Sequence, residues 1–386
     1  MKLTKKSIHS LSNQAFEGNP FISIYIPTYR AGHVQEDKLR FKNALSQAAD
    51  HLLAKGNLYG RTFEKADAKK YLKPAFELLN NDDFWLRLSD GLVLFMNDQI
   101  FEYFIVPIRF RSMLYVGKKF YLSKLIPMLT ERDDFYLLAL SQGEVRFFEA
   151  DRYHITPIEI ADLVPENITA GLNKQYEKSL QFHTVGGGNG HFHGQGLGND
   201  SHQTDLKAYF RMIDKGLMKM IRNDQVPMVL ATVDRLASTY REISSYPHIV
   251  DTHVRGNPEN EGPVMLHEKA MMVIGPMFDR VRAQEYQRYQ ASLVSNKASA
   301  SFQEIAWKAE YGHVETLFLD LDASPRWGKV DSTTNQLRFD AHQEADNTCL
   351  LDETVMKTWS SGGNIHHLPN LRPSEITPSI KAIYRF

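Results

Sequence analysis

Cysteine is almost missing from this chain. Cys349 is the only one in 386 residues, which excludes an internal disulfide framework and any thiolate-rich zinc site. A reducing compartment fits that usage. An excess of charge of either sign is missing too. Lys plus Arg number 45 against 46 Asp plus Glu, a formal net charge of −1. No whole-molecule field therefore draws nucleic acid or an acidic partner, and any such preference has to come from local patches. No apolar run approaches the roughly 20 residues that span a bilayer. The opening Met-Lys-Leu-Thr-Lys-Lys-Ser-Ile-His-Ser lacks the apolar core of a secretory signal. These absences point to a soluble cytoplasmic protein with no membrane partner. Internal repeats and low-complexity tails are absent as well.

What is present is ample material for packed cores, since 42% of the residues are hydrophobic. Phe21-Ile-Ser-Ile-Tyr-Ile26, closed by Pro27, is β-branched and aromatic and reads as a buried strand. Helical spacing follows from Glu36 to about Lys55 and again from about Phe63 to Leu79. Strands are expected over 91–96 and 101–106, joined by a turn at Asn97-Asp98 that lacks the usual glycine. A second strand–turn–strand runs from Phe135 to Phe148, and residues 155–177 read as mixed and loop-like. A helix over 205–221, a strand over 227–233 and a short helix over 236–243 come next. After the turn-rich 255–263 a long helical pattern runs from Val264 to Leu293, with an interruption expected at Gly275-Pro276. A short helix (302–310), a strand (314–321), a helix (352–361) and a final strand (380–386) close the chain. Strands and helices interleave, so the fold class is α/β (α+β), organised as three consecutive α/β domains: 1–131, 132–258 and 259–386.

One stretch has no structural rationale of its own. Thr184 to Gly198 reads Thr-Val-Gly-Gly-Gly-Asn-Gly-His-Phe-His-Gly-Gln-Gly-Leu-Gly, seven glycines in all. Ordering so many glycines costs more chain entropy than a tight turn needs, so the run reads as a loop tip that becomes ordered against something else. Its polar side chains are Asn189, His191, His193 and Gln195. Directly behind it comes a charged helix. At about 100° per residue, Lys207, Arg211, Lys215, Lys219 and Arg222 share roughly a third of the circle. Leu206, Phe210, Ile213, Leu217 and Ile221 take the opposite side. Five cations along about 22 Å match the spacing of a phosphate backbone. The plain alternative is a solvated helix face.

Rival chemistries fit less well. No lysine follows the glycines as a P-loop requires, and Gly194-Gln-Gly196-Leu-Gly198 has the wrong spacing for a dinucleotide fingerprint. His191 and His193, with His183 and His202 nearby, offer a metal-hydrolase alternative, but no third ligand stands at a recognisable spacing. Asp320 and Asp322 read as solvated carboxylates, His366-His367 as strand-end filler, and Cys349 as a small packed side chain. No cofactor and no metal are expected.

Taken in order, these features resemble the archaeo-eukaryotic class 1 peptide-chain release factor and Pelota family, and more closely its bacterial branch. The resemblance is carried by Phe21 to Pro27, Leu92-Val-Leu-Phe95, Met113 to Phe120, Phe135 to Phe148 and Phe302 to Phe318. It implies N, middle and C domains, with a Gly-Gly-Gln loop on the middle domain that enters the peptidyl-transferase centre. There the glutamine helps place water on the peptidyl-tRNA ester. The matching residues are Gly194 and Gln195, followed by Gly196, while His193 stands where the family has its first glycine. The codon-reading motif is replaced by Glu-Asp-Lys-Leu-Arg-Phe-Lys over 36–42, and the cysteine of the second decoding motif is missing around Val116-Gly117. The resemblance therefore implies a ribosome-, tRNA- and rRNA-associated protein that reads no stop codon and binds no DNA. Peptidyl-tRNA hydrolysis through Gln195, non-catalytic ribosome or RNA binding on the same fold, and a GTPase partner for the C-terminal domain stay open at this point.

Overall fold

The computed structural model describes residues 3–29, 33–131, 133–172, 200–223, 225–330, 337–368 and 379–386, with the side chains of 200–202 and 330 outside the description. The chain divides into two compact units: Met1–Glu131 with Gln284–Phe386, and Arg132–Ala283. Both mix helices with sheets.

In the first unit, helix α1 (Lys5–Ser12) starts on a Thr4 capping box. Strand β1 (Phe21–Pro27) is followed by α2 (Val34–Lys55), then α3 (Lys65–Tyr71) and α4 (Lys73–Leu79). The single helix expected over 63–79 is two, because Pro74 has no N–H to give back to the preceding turn and restarts the helix there. Strands β2 (Gly91–Met96), β3 (Phe101–Val106) and β4 (Met113–Gly117) complete an antiparallel sheet of order β3-β2-β1-β4. The glycine-free β2–β3 turn is held by the Asn97 side chain, whose Oδ1 accepts from the amides of Gln99 (2.9 Å) and Ile100 (2.6 Å). Alternation along β1 sends Phe21 and Tyr25 to one core and Ile22, Ile24 and Ile26 to the other. Helices α2 to α4 cover the second.

The second unit is a five-stranded sheet of order β7-β6-β5-β8-β9, from β5 (Phe135–Leu140), β6 (Val145–Ala150), β7 (Ile155–Ile158), β8 (Met228–Thr232) and β9 (Val254–Arg255). β5, β8 and β9 run parallel, while β6 and β7 form an antiparallel flank. Helices α5 (Asp200–Leu217) and α6 (Asp234–Ile243) cover one face, where Tyr136, Leu138 and Leu230 meet Phe210, Ile213 and Tyr240. On the other face Leu137, Ala139 and Val229 meet α7 (Pro263–Val294). A sheet covered on both faces needs apolar runs without alternation, which is what β5 and β8 supply. α7 continues through Pro276 instead of breaking. Leu266, Ala270, Ile274 and Phe278, all buried at helical spacing, hold it on the sheet and offset the roughly 3 kcal/mol that an interior proline costs.

The first unit resumes with β10 (Ala298–Ser299), α8 (Phe302–Glu310), β11 (Val314–Leu319), β12 (Trp327–Val330), β13 (Leu337–Asp340), β14 (Thr348–Cys349), α9 (Leu350–Ser360), β15 (Asn364–His367) and β16 (Ile380–Tyr384). These make a sheet of order β10-β16-β11-β15 and a small β13-β12-β14 sheet. Their apolar residues Leu351, Val355, Trp359 and Ile365 pack in one core with Phe21, Tyr25 and Phe95. Asp352, in the first turn of α9, seals this joint: its Oδ1 accepts from the amides of Leu122 and Ser123, each at 2.7 Å.

Candidate nucleic-acid interface

Helix α5 carries the candidate site, and its inner face sets its orientation. Leu206, Tyr209, Phe210, Ile213 and Leu217 are all at most 1% exposed. Burying five such side chains is worth about 1.5–3 kcal/mol each in transfer free energy, which pins the helix rotation and leaves the opposite face to solvent. A buried acid on α5 tightens it further. The Asp214 carboxylate accepts from Ser244 Oγ (2.6 Å) and from both the amide (3.0 Å) and Oγ (2.7 Å) of Ser245, fixing α5 to the end of α6.

The helix is shifted from its expected span, starting at Asp200 and stopping at Leu217 rather than at 221. Beyond it the chain tightens into turns, with Lys219 N donating to Gly216 O and Ile221 N to Leu217 O. Lys207, Arg211 and Lys215 therefore lie on α5, while Lys219 and Arg222 follow it on those turns. The five are not equivalent. Lys207 Nζ donates to Glu242 Oε1 of α6 at 2.7 Å and is half-buried. Arg211, Lys215, Lys219 and Arg222 are exposed, and no ion pair to any of them is found among the described residues.

A cleft of about 490 Å³ opens beside this cationic end. Lys215, Lys219 and Met212 line one side, and Asp162, Leu163, Val164 and Pro165 line the other. Gly216 lets the two sides meet. A Cβ there would stand 2.5 Å from the Leu163 carbonyl oxygen and 2.7 Å from Val164 Cγ2, so only glycine permits this approach. The loop 161–165 escaped the sequence reading because it has neither periodicity nor a motif. Its only signal is Pro165, and proline marks loops everywhere.

The remaining sequence candidates fall as follows. His193, Gly194, Gln195 and Gly196, together with His183 and His191, lie outside the described residues. Among the described residues no group of three or more His, Cys, Asp or Glu could hold a metal ion. Cys349 is buried, and burial pushes its thiol up to about 12, the behaviour of a packed side chain. Asp322 pairs with Arg111 at 3.0 Å, and Asp320 Oδ1 accepts the Asp322 amide. His366 and His367 are not inert filler, because His367 Nδ1 sits 2.8 Å from Glu131 Oε1. In the 36–42 stretch, Asp37 is buried and its carboxyl is held above the usual range by burial, while Arg40 and Arg109 flank the Tyr29 ring at 5.2 and 4.5 Å. No helix among the described residues is long and apolar enough to cross a membrane.

With this geometry in place, comparison with known proteins adds a partial family match. Curated proteins give no match. Solved structures that align with this chain include an archaeal translation termination factor, 15% identical, with a TM-score of 0.23 over 100% of this chain and 99% of that one. Pelota from Archaeoglobus fulgidus is 12% identical, with a TM-score of 0.31 over 77% of this chain and 79% of that one. Ribosome-bound archaeal Pelota is 11% identical, with a TM-score of 0.36 over 77% of each chain. Residues 135–276, from the start of β5 to the Pro276 turn of α7, match the bacterial archaeo-eukaryotic release factor family 7. That stretch, which contains α5 and its cleft, is similar to the bacterial archaeo-eukaryotic release factor family.

Proposed function

We propose that this chain is a release-factor-like, translation-associated protein. It docks on ribosomal or transfer RNA through Arg211, Lys215, Lys219 and Arg222, and it carries Gln195 to the ester of peptidyl-tRNA without reading a stop codon. The observation that supports docking is the exposure of those four cations, with no ion pair found for them among the described residues. Cations already paired would have to break their pairs before meeting phosphate; among the described residues these four have none to break. Their attraction is local, which suits a chain of net charge −1. For the chemistry, an amide that orients water acts through placement rather than through a shifted pKa. That role rests on the family resemblance and on the Gly194-Gln195-Gly196 sequence.

Co-sedimentation with ribosomes across a salt series tests docking, since phosphate contacts make binding fall steeply with salt. Release of the acyl group from ribosome-bound peptidyl-tRNA tests the chemistry. Gln195→Ala is expected to slow release by about 10- to 100-fold, a range typical of losing one positioning group. Equal rates for the two proteins remove Gln195 from the mechanism. A second reading, docking without hydrolysis, draws on His193, whose Cβ and imidazole occupy the position of the family's first glycine. Sedimentation with ribosomes and no release by the wild type would select it.

A further inference from the structure

We infer that the cleft beside α5 receives one unstacked nucleotide of the bound RNA, with its base against Leu163, Val164 and Met212 and its phosphate on Lys215 and Lys219. This rests on the RNA-docking reading above and adds what part of the RNA is gripped. The cleft's 490 Å³ falls in the range of small-ligand sites, roughly 300–1,000 Å³. Its lining is divided by chemistry. One side brings two lysines four residues apart, both exposed and without an ion pair among the described residues. The other brings an apolar loop whose Leu163 is 41% exposed and offers its side chain to an occupant of the cleft.

The close approach at Gly216 fixes the distance between the two sides, so the cleft has definite walls. Among the described residues Asp162 is the one carboxylate lining it, and it sits on the loop rather than beside the lysines. A carboxylate there repels phosphate but accepts from the N–H groups on a base edge. A flat ring with an anionic tail and N–H donors satisfies all three features at once. Inorganic phosphate would leave the apolar wall wet. A duplex keeps its bases stacked and paired, so an unpaired strand or loop is what offers such a nucleotide.

The test measures binding of the full chain to a labelled single-stranded RNA octamer and to the same octamer in a duplex. The single strand is expected to bind about tenfold more tightly, the worth of one stacked base. Met212→Trp fills the cleft, and Leu163→Glu places a negative charge on its lip at an exposed position that does not disturb the core. Each is expected to cost about tenfold on the single strand and far less on the duplex. Arg222→Gln, outside the cleft, should weaken both RNAs alike and flatten the salt dependence. If both cleft variants bind the single strand as the wild type does, the nucleotide cleft is wrong and RNA docking stands. If free nucleoside monophosphate, inorganic phosphate or a phosphopeptide binds as tightly as the octamer, the cleft serves another ligand and the inference fails. If neither RNA binds, docking and cleft fall together.

Discussion

The two units bury acids in opposite ways. In the second unit Asp133 is 7% exposed and meets two guanidiniums: Arg282, at 2.8 Å, and Arg152. Arg152 reaches on to Asp279 at 2.9 Å, which Arg282 also contacts. Burial acts to raise the Asp279 carboxyl, but its hydrogen bonds to the two arginines outweigh it and hold the group below its ordinary value. In the first unit Asp352 is equally buried, but it accepts from the backbone N–H groups of Leu122 and Ser123 and pairs with no guanidinium among the described residues. Burial there wins over those bonds and lifts the carboxyl to about 6 from an ordinary 3.8. The exposed Asp279 is thus held down by the arginines it faces, while the buried Asp352 faces no counter-charge and is raised.

The largest expected effect comes from breaking the paired cluster. Arg282→Ala leaves Asp133 with a single guanidinium in a buried site and should cost about 3–4 kcal/mol. All four tryptophans, Trp85, Trp307, Trp327 and Trp359, belong to the first unit, so their fluorescence reports that unit while amide circular dichroism reports both. The loss should move the circular dichroism transition much further than the tryptophan transition. Equal movement of both would show that the cluster does not act within the second unit.

Asp352 should give the opposite pH signature. Between pH ~4 and ~6 the folded state holds a proton that the unfolded state has released. Stability of the first unit therefore falls as pH rises through that window and levels off above it. The full effect is on the order of 2–3 kcal/mol. Asp352→Asn keeps an acceptor for Leu122 and Ser123 and removes the charge, so the tryptophan midpoint should become flat across the same window. For Asp279 the sign reverses. Its depressed pKa supports stability above its ordinary value, and that support is lost as pH falls below it. A tryptophan midpoint that rises from pH 4 to pH 6 in the wild type would contradict the assignment to Asp352.

Legibility from sequence followed the range of the interaction. β1, β2, β5 and β8 were readable because each is a short apolar run between turn formers, and the inner face of α5 was readable because it repeats every three to four residues. The resemblance to the release-factor family over 135–276 was readable from the order of such pieces. What a wheel cannot see is the neighbouring element. It placed Lys207 with the other four cations, yet only the fold brings Glu242, 35 residues on, to within 2.7 Å of it. Asp352 is 230 residues from the Leu122 amide it accepts from, and nothing near it in sequence foretells a raised pKa. Local rules misplaced breaks in both directions: Pro74 split a helix read as one, and Pro276 failed to split α7 because packing overrode it. The cleft needed a bare backbone at Gly216 to meet a loop some fifty residues earlier.

Asp214 lies between the two extremes, a buried acid satisfied by hydroxyls and one amide. Asp214→Ala leaves Ser244 and Ser245 without their acceptor and should cost about 1–2 kcal/mol, softened by the better helix propensity of alanine. The loss belongs to the second unit and should appear in circular dichroism rather than in tryptophan fluorescence. Because α5 is held to α6 through this side chain, hydrogen exchange at the end of α5 should quicken in the variant. Unchanged exchange there would mean that the apolar face alone fixes the helix.

The smallest effect separates the charged face of α5 into its two kinds of cation. Lys207 and Glu242 form a surface pair, so Lys207→Ala should change stability by less than about 1 kcal/mol. Its effect on RNA binding should also be small, since a lysine held by a carboxylate offers phosphate less than a free one does. Arg211, one turn further on and unpaired among the described residues, should behave differently. Arg211→Ala is expected to reduce the log–log salt slope of ribosome binding by about one unit, the signature of one lost phosphate contact, with Lys207→Ala well below that. Glu242→Ala completes the comparison: freeing Lys207 should tighten RNA binding and steepen the slope. Equal slopes for the Lys207 and Arg211 variants would mean that the pair opens on binding and that both cations reach the RNA.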